Sequence, residues 1–107
     1  MRRGTIYWIN LEPSSPREFG KTRPGLIISN SVQNFALDTV VALPLSSRPP
    51  EIWPLRLRVS LQKGNDSFVV LPGIRQVSKA RLLDVVGFLG SQEMIRIAEA
   101  LEAYLSD

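Results

Sequence analysis

Apolar residues fall along this chain in short blocks separated by turn-forming residues, and nearly every block reads as a β-strand. Thr5–Leu11 (TIYWINL) is rich in β-branched and aromatic residues, the composition of a strand. The stretch EPSSPREFGKT follows, with two prolines, two serines and a glycine, and reads as a loop. Its length is unusual for a small domain, where long loops are commonly functional. PGLIISN, residues 24–30, is a second strand, opened by Arg23. SVQNFAL is a turn of helix or a loop, and Thr39–Leu45 (TVVALPL) is a third strand, apolar enough to be central. The proline-rich SSRPPEIWP cannot hold a regular ladder.

PLRLRVSL then alternates with a period of two. Leu55, Leu57, Val59 and Leu61 take one face, and Arg56, Arg58 and Ser60 the other, as in a half-buried strand. KGND is hairpin-turn chemistry, SFVVL a fifth strand, SKAR a single helical turn and LLDVVGFLG a sixth strand. The period changes only after Gly90. In SQEMIRIAEALEAYL, Met94, Ala98, Leu101 and Leu105 recur at helical spacing, Ser91 stands where an N-cap would, and Glu93 lies in the first turn. About six short strands and one terminal helix predict a mainly β domain spanning residues 1–107, a small, strongly bent sheet or barrel with a peripheral helix on it.

Composition removes much chemistry. With no cysteine and no histidine in 107 residues, there is no disulfide, no thiol nucleophile and no imidazole base or ligand. No metal site or cofactor is expected. No apolar run reaches the roughly 20 residues of a membrane helix, and polar residues interrupt the basic N-terminus at once. A soluble, cytoplasmic protein with no membrane partner is expected. The net charge of +3 is unevenly spread: residues 1–90 carry twelve Lys/Arg against six Asp/Glu, and the terminal helix is acidic. A basic body suits a polyanionic partner such as RNA or DNA, although an imbalance of this size is also ordinary.

Chemistry can gather at the mouths of two strands. Arg23 opens the second and Ser46-Ser47 close the third. In antiparallel neighbours the start of one strand lies beside the end of the other, so Arg23 and Ser46 would share a rim. The long loop would bring Arg17, Glu18 and Lys21 to it. Each residue also has a plainer reading, as a strand-end solubiliser or turn former. Arg56 and Arg58 read as a solvated face, Trp8 and Trp53 as core or interface aromatics, with base stacking open to an aromatic near a basic rim. Arg75, Lys79 and Arg81 form a second basic group.

RRGTIYWINLEP…GKTRPGLIISN, VVALPLSSR, WPLRLRV and IRQVSKARLLDVVGFLG together resemble the MazF/PemK family of toxin endoribonucleases, in order and over nearly the whole chain. The resemblance implies an SH3-like barrel with a C-terminal helix, a homodimer, and metal-independent cleavage of single-stranded RNA at short sequence motifs. It also implies a cognate antitoxin whose acidic segment covers the RNA groove. It places catalysis on Arg23 and Ser46; around them Arg17, Glu18, Lys21, Ser47 and Arg75 are read as substrate contacts, with the general base unassigned and Glu18 the best-placed loop carboxylate. Where many members carry an acidic residue and a glutamine before the IR pair, this chain has Pro72 and Gly73. Where some pair an arginine with an aspartate, it has Val70 and Pro72. The arginine/hydroxyl form of the mechanism therefore survives and the arginine/aspartate form does not. A non-cleaving binder on the same fold is the alternative. A gyrase poison of related fold would be expected to end in Trp-Gly-Ile, whereas this chain ends AYLSD.

Overall fold

The structure, a computed structural model, describes residues 1–13, 21–61 and 66–107. Seven antiparallel strands form one sheet: β1 (Thr5–Asn10), β2 (Thr22–Ile27), β3 (Thr39–Ser46), β4 (Arg56–Ser60), β5 (Asp66–Val70), β6 (Arg75–Ser78) and β7 (Leu82–Phe88). They lie in the order β4-β5-β3-β2-β1-β7, with β6 also on β3. A short helix α1 (Ser31–Ala36) joins β2 to β3, and α2 (Ser91–Tyr104) closes the chain. Among the described residues no ladder joins β4 to β7, so the bend expected from the sequence is present but the sheet does not close.

The bend originates in β3. Its first half, Thr39–Ala42, pairs with β6, and its end, Leu45 and Ser46, pairs with β5. Pro44 sits at the change of partner, where its missing N–H costs no ladder bond on that side. On the opposite edge β3 pairs with β2 through Gly25↔Pro44, Leu26↔Leu43 and Ile27↔Ala42. Because the sheet curls, β2 and β3 are covered on both faces, which explains their nearly unbroken apolar runs. One core holds Ile6, Leu26, Leu43, Leu57, Val69 and the apolar side of α2; a second holds Ile9, Leu11, Ile27, Val40, Ala42 and Val77 on the other face.

Four details differ from the sequence reading. Among the described residues there are seven strands, not six: Arg75–Ser78 is a strand, because Val77 plugs into the second core while its neighbours face outward. The second strand begins at Thr22 rather than at the proline, so Arg23 lies inside the ladder, opposite Ile9. The buried seam of α2 runs through Met94, Ile97 and Ala100, with Leu101 and Tyr104 packed beside it. Ala98 is exposed and Leu105 is 74% exposed. Ser91 is the first helical residue, and Gly90 caps the helix without a side-chain bond. Of the expected KGND turn, residues 63–65 lie outside the described residues.

Polar anchors place α1. Asn30 caps it by accepting from the Gln33 amide at 3.0 Å. The Asn34 side chain, buried under the helix, donates to the Ser29 carbonyl at 2.8 Å, and Ser29 Oγ accepts from the Val41 amide at 3.0 Å. These bonds satisfy buried polar groups and hold the β2–β3 connection to β3.

Candidate active site

The β2–β3 ladder sets the site. Two residues beyond the Gly25–Pro44 pair, on the same face, the register carries Arg23 on β2 and Ser46 on β3. Both line one open cavity of about 710 Å³, together with Trp8, Lys21, Ser47 and Ser67. The shared rim expected from strand polarity is therefore present, with Lys21 and Ser47 on it. Arg17 and Glu18 lie outside the described residues.

Ser46 ends β3, paired with Phe68 of β5, and is 7% exposed. Its Oγ accepts from the Arg48 backbone N–H at 3.1 Å. That bond fixes the oxygen in place and leaves the hydroxyl proton for donation to a ligand. Lys21 has a left-handed backbone (φ 62°). Its amide donates to the Glu12 carboxylate, and its carbonyl accepts from the Leu11 amide at 2.8 Å. These bonds hold the base of the long loop together and bring the lysine to the cavity mouth.

Arg23 and Pro24 also form the wall of a second groove, of about 760 Å³, whose far side carries Arg75. Gly25 lets the groove floor come close: a Cβ there would meet Ile9 Cδ1 at 2.4 Å. The remaining lining is largely aliphatic, from Ile9, Leu11, Val70 and Ile74, with Pro72 and Gly73 on its edge. The two positions that depart from the pattern seen in many family members thus face the same groove as Arg23. Neither supplies a side-chain donor or acceptor.

Other cations are occupied in holding the fold. Arg81 reaches back to the carbonyls of Asn10 and Glu12, so it ties down the end of β1. Arg3 donates to the Ile28 carbonyl at 3.1 Å, and Arg56 to that of Arg48 at 3.0 Å. Arg58 pairs with Asp66 at 3.6 Å, and Arg2 lies 4.6 Å from the Phe88 ring centre. Arg96 bonds to Glu51. The Glu51 carboxyl is held below its ordinary value, first by the Arg58 amide and then by the Arg96 side chain, against a smaller opposing effect of burial.

The sequence pointed to no site role for Thr22, Ser67 or the aliphatic part of the groove wall, and left base stacking only open for Trp8. Trp8 is 42% exposed within the cavity, so of the two expected places it is not in the core. The block TIYWIN is apolar at almost every position and carries no period that would orient the ring. Trp53, expected likewise, is 50% exposed beside Arg96.

The profile of the PemK-like, MazF-like toxins of type II toxin-antitoxin systems matches residues 2–105. The chain is 31% identical over 111 residues to the endoribonuclease MazF of Staphylococcus epidermidis, covering 98% of this chain and 91% of that protein. It is 29% identical over 110 residues to endoribonuclease EndoA of Bacillus subtilis, covering 99% and 95%. A solved mycobacterial endoribonuclease in complex with its cognate antitoxin superposes with a TM-score of 0.82 at 26% identity, covering 98% of this chain and 94% of that one. MazF from Deinococcus radiodurans superposes with a TM-score of 0.83 at 21% identity, covering 98% and 96%, and speaks to the fold alone.

Proposed function

The chain belongs to the PemK-like, MazF-like toxins of type II toxin-antitoxin systems, and from that premise we propose that it cuts single-stranded RNA at the cavity shared by Arg23 and Ser46. The carrying observation is that a guanidinium and an alcohol, from neighbouring strands in register, line one open space.

RNA carries its own nucleophile. The 2′-oxygen attacks the adjacent phosphorus, a new P–O2′ bond forms and the P–O5′ bond breaks. The products are a 2′,3′-cyclic phosphate and a 5′-hydroxyl. Such a reaction needs alignment and stabilisation of the charge that builds on the phosphorane, both of which a preorganised site supplies. Arg23 fits the second role: its planar fork can hold two phosphate oxygens, and its pairing with Ile9 of β1 limits its movement. Ser46 donates to a phosphate oxygen or orients the 2′-hydroxyl. A guanidinium gives up its proton reluctantly, so Arg23 serves as charge stabiliser and as proton donor to the leaving 5′-oxygen rather than as the base; the proton of the 2′-hydroxyl goes to a carboxylate, for which Glu18 is the best-placed loop candidate.

Lys21 and Ser47 hold the backbone at the cavity mouth, and Arg75 takes a phosphate further along the groove. Arg17 and Glu18 belong to the loop leading into this rim and are read as substrate contacts. An acidic segment of a cognate antitoxin would compete for the same cations, and the solved mycobacterial neighbour is such a toxin–antitoxin complex. No helix among the described residues is long and apolar enough to cross a membrane; the protein acts in the cytoplasm, where mRNA is. It works as a homodimer, for which the end strand β7 offers exposed apolar side chains, Leu83, Val85 and Phe88.

The test is incubation of the purified protein with a long RNA in the presence of EDTA. Discrete cuts with 5′-hydroxyl ends are expected; RNA left intact across varied sequences overturns the reading.

A further inference from the structure

We propose that Trp8 is a stacking platform for the base of a nucleotide flanking the scissile phosphate. The inference rests on the ribonuclease reading and adds to it a substrate-binding residue.

Trp8 stands in the middle of β1, opposite Pro24, the residue after Arg23. It belongs to the sheet face that buries Ile6 beneath α2, but lies beyond the end of that core and is 42% exposed. An indole left in water forgoes the gain of burying its large apolar area, about 25 cal/mol per Å². Pro24 and Leu45 are the apolar residues beside it, and the rest of its cavity lining is polar or charged. It shares its cavity with Lys21, Arg23, Ser46 and Ser47. Cations and hydroxyls grip phosphates and sugars, and an aromatic face beside them takes a base, the combination by which single-stranded nucleic acid is held.

A second copy of this chain is the less fitting occupant. Covering Trp8 with a second chain would also desolvate Lys21 and Arg23 at the centre of the contact, where charged residues are depleted. Stacking tolerates any base, since each has a π face. Trp8 therefore contributes affinity and position and is indifferent to base identity.

The experiment compares Trp8→Phe, Trp8→Leu and Trp8→Ala on an RNA whose cut sites have been mapped with the unaltered protein. Leucine keeps apolar bulk and loses the ring. Trp8→Leu and Trp8→Ala should raise KM about 5- to 150-fold, the range of base–aromatic stacking. Loss of binding common to ground and transition states leaves kcat nearly unchanged. Trp8→Phe should recover most of the affinity. In a Trp53→Phe background Trp8 is the sole tryptophan. Its fluorescence should then be quenched by a DNA oligonucleotide of the cut sequence, which lacks the 2′-hydroxyl nucleophile.

An unchanged KM in Trp8→Leu together with unresponsive fluorescence overturns the proposal. So does a variant that loses RNA only because sedimentation shows its dimer dissociating, which would make Trp8 a subunit contact. Failure of the unaltered protein to cut any RNA would instead sink the ribonuclease reading.

Discussion

Arg23 and Ser46 occupy the same face of the β2–β3 ladder, two residues past the Gly25–Pro44 pair, at the mouth of one cavity. Arg23 is paired to β1 through Ile9 and Ser46 to β5 through Phe68, so each is held by a strand and not by a loop, which is how a site that relies on positioning should be built. Removing one preorganised donor from a developing oxyanion costs roughly 10²- to 10³-fold in rate. Arg23→Ala should therefore lower kcat on a mapped RNA by at least about that factor. Arg23→Lys, which keeps the charge and loses the fork, should recover little. Ser46→Ala should fall by a similar or smaller factor, with Ser46→Thr, which restores the hydroxyl, close to unaltered. Equal rates for Arg23→Ala and the parent would rule out a catalytic guanidinium here.

Arg75 is tested by salt and not by rate. It lines the groove that begins at Arg23 and is absent from the Ser46 cavity, so its expected role is a phosphate contact away from the scissile bond. Each phosphate contact to a single strand contributes about 0.7 to the slope of log K against log salt. Arg75→Ala should weaken binding across RNA sequences and lower that slope by about 0.7. A changed cutting motif with an unchanged slope would make Arg75 a base reader instead.

A third expectation concerns acid. Glu51 accepts from the Arg58 amide at 2.8 Å and bonds to Arg96 of α2, joining the loop after β3 to the terminal helix. These donors favour its ionised form, so its folded pKa lies below the ordinary 4.5. A depressed folded value means the carboxylate's contribution is complete above 4.5 and disappears as pH falls through the lower, folded value. Glu51→Gln should lower stability near neutral pH slightly and flatten the loss of stability below about pH 4.5, read by urea unfolding at several pH values. A parent and variant whose stabilities fall in parallel through that window would remove Glu51 from the account.

Much of this architecture was legible in the chain because the strands carry strong local signals. The alternation in residues 55–61 correctly buries Leu57 and Val59, and the apolar run 39–45 correctly marks a central strand. What failed had weak or shared signals. β6 is four residues with one buried side chain, too short for a period to show. Along α2, Ile97 and Ala98 both satisfy i+3/i+4 spacing from Met94, and only the sheet beneath decides that Ile97 faces it. The proximity of Arg23 and Ser46 followed from strand polarity alone. The place of Trp8 did not, since which of several apolar side chains reaches past the core end depends on where α2 stops covering the sheet.

The last prediction concerns assembly. β7 is an end strand of the sheet, paired among the described residues with β1 alone, and it exposes Leu83, Val85 and Phe88 at 51, 50 and 47%. An open edge bearing apolar side chains invites another chain, and proteins that leave one bare tend to aggregate. A second copy covering this face would resolve that liability. Because Val85 is half exposed, Val85→Asp adds a charge without entering either core, and the circular dichroism spectrum should not change. Sedimentation should show the parent at twice the chain mass and Val85→Asp at one, with cutting reduced if the dimer shapes the RNA groove. A parent that sediments as a monomer, or a variant that remains a dimer, would move the interface away from β7.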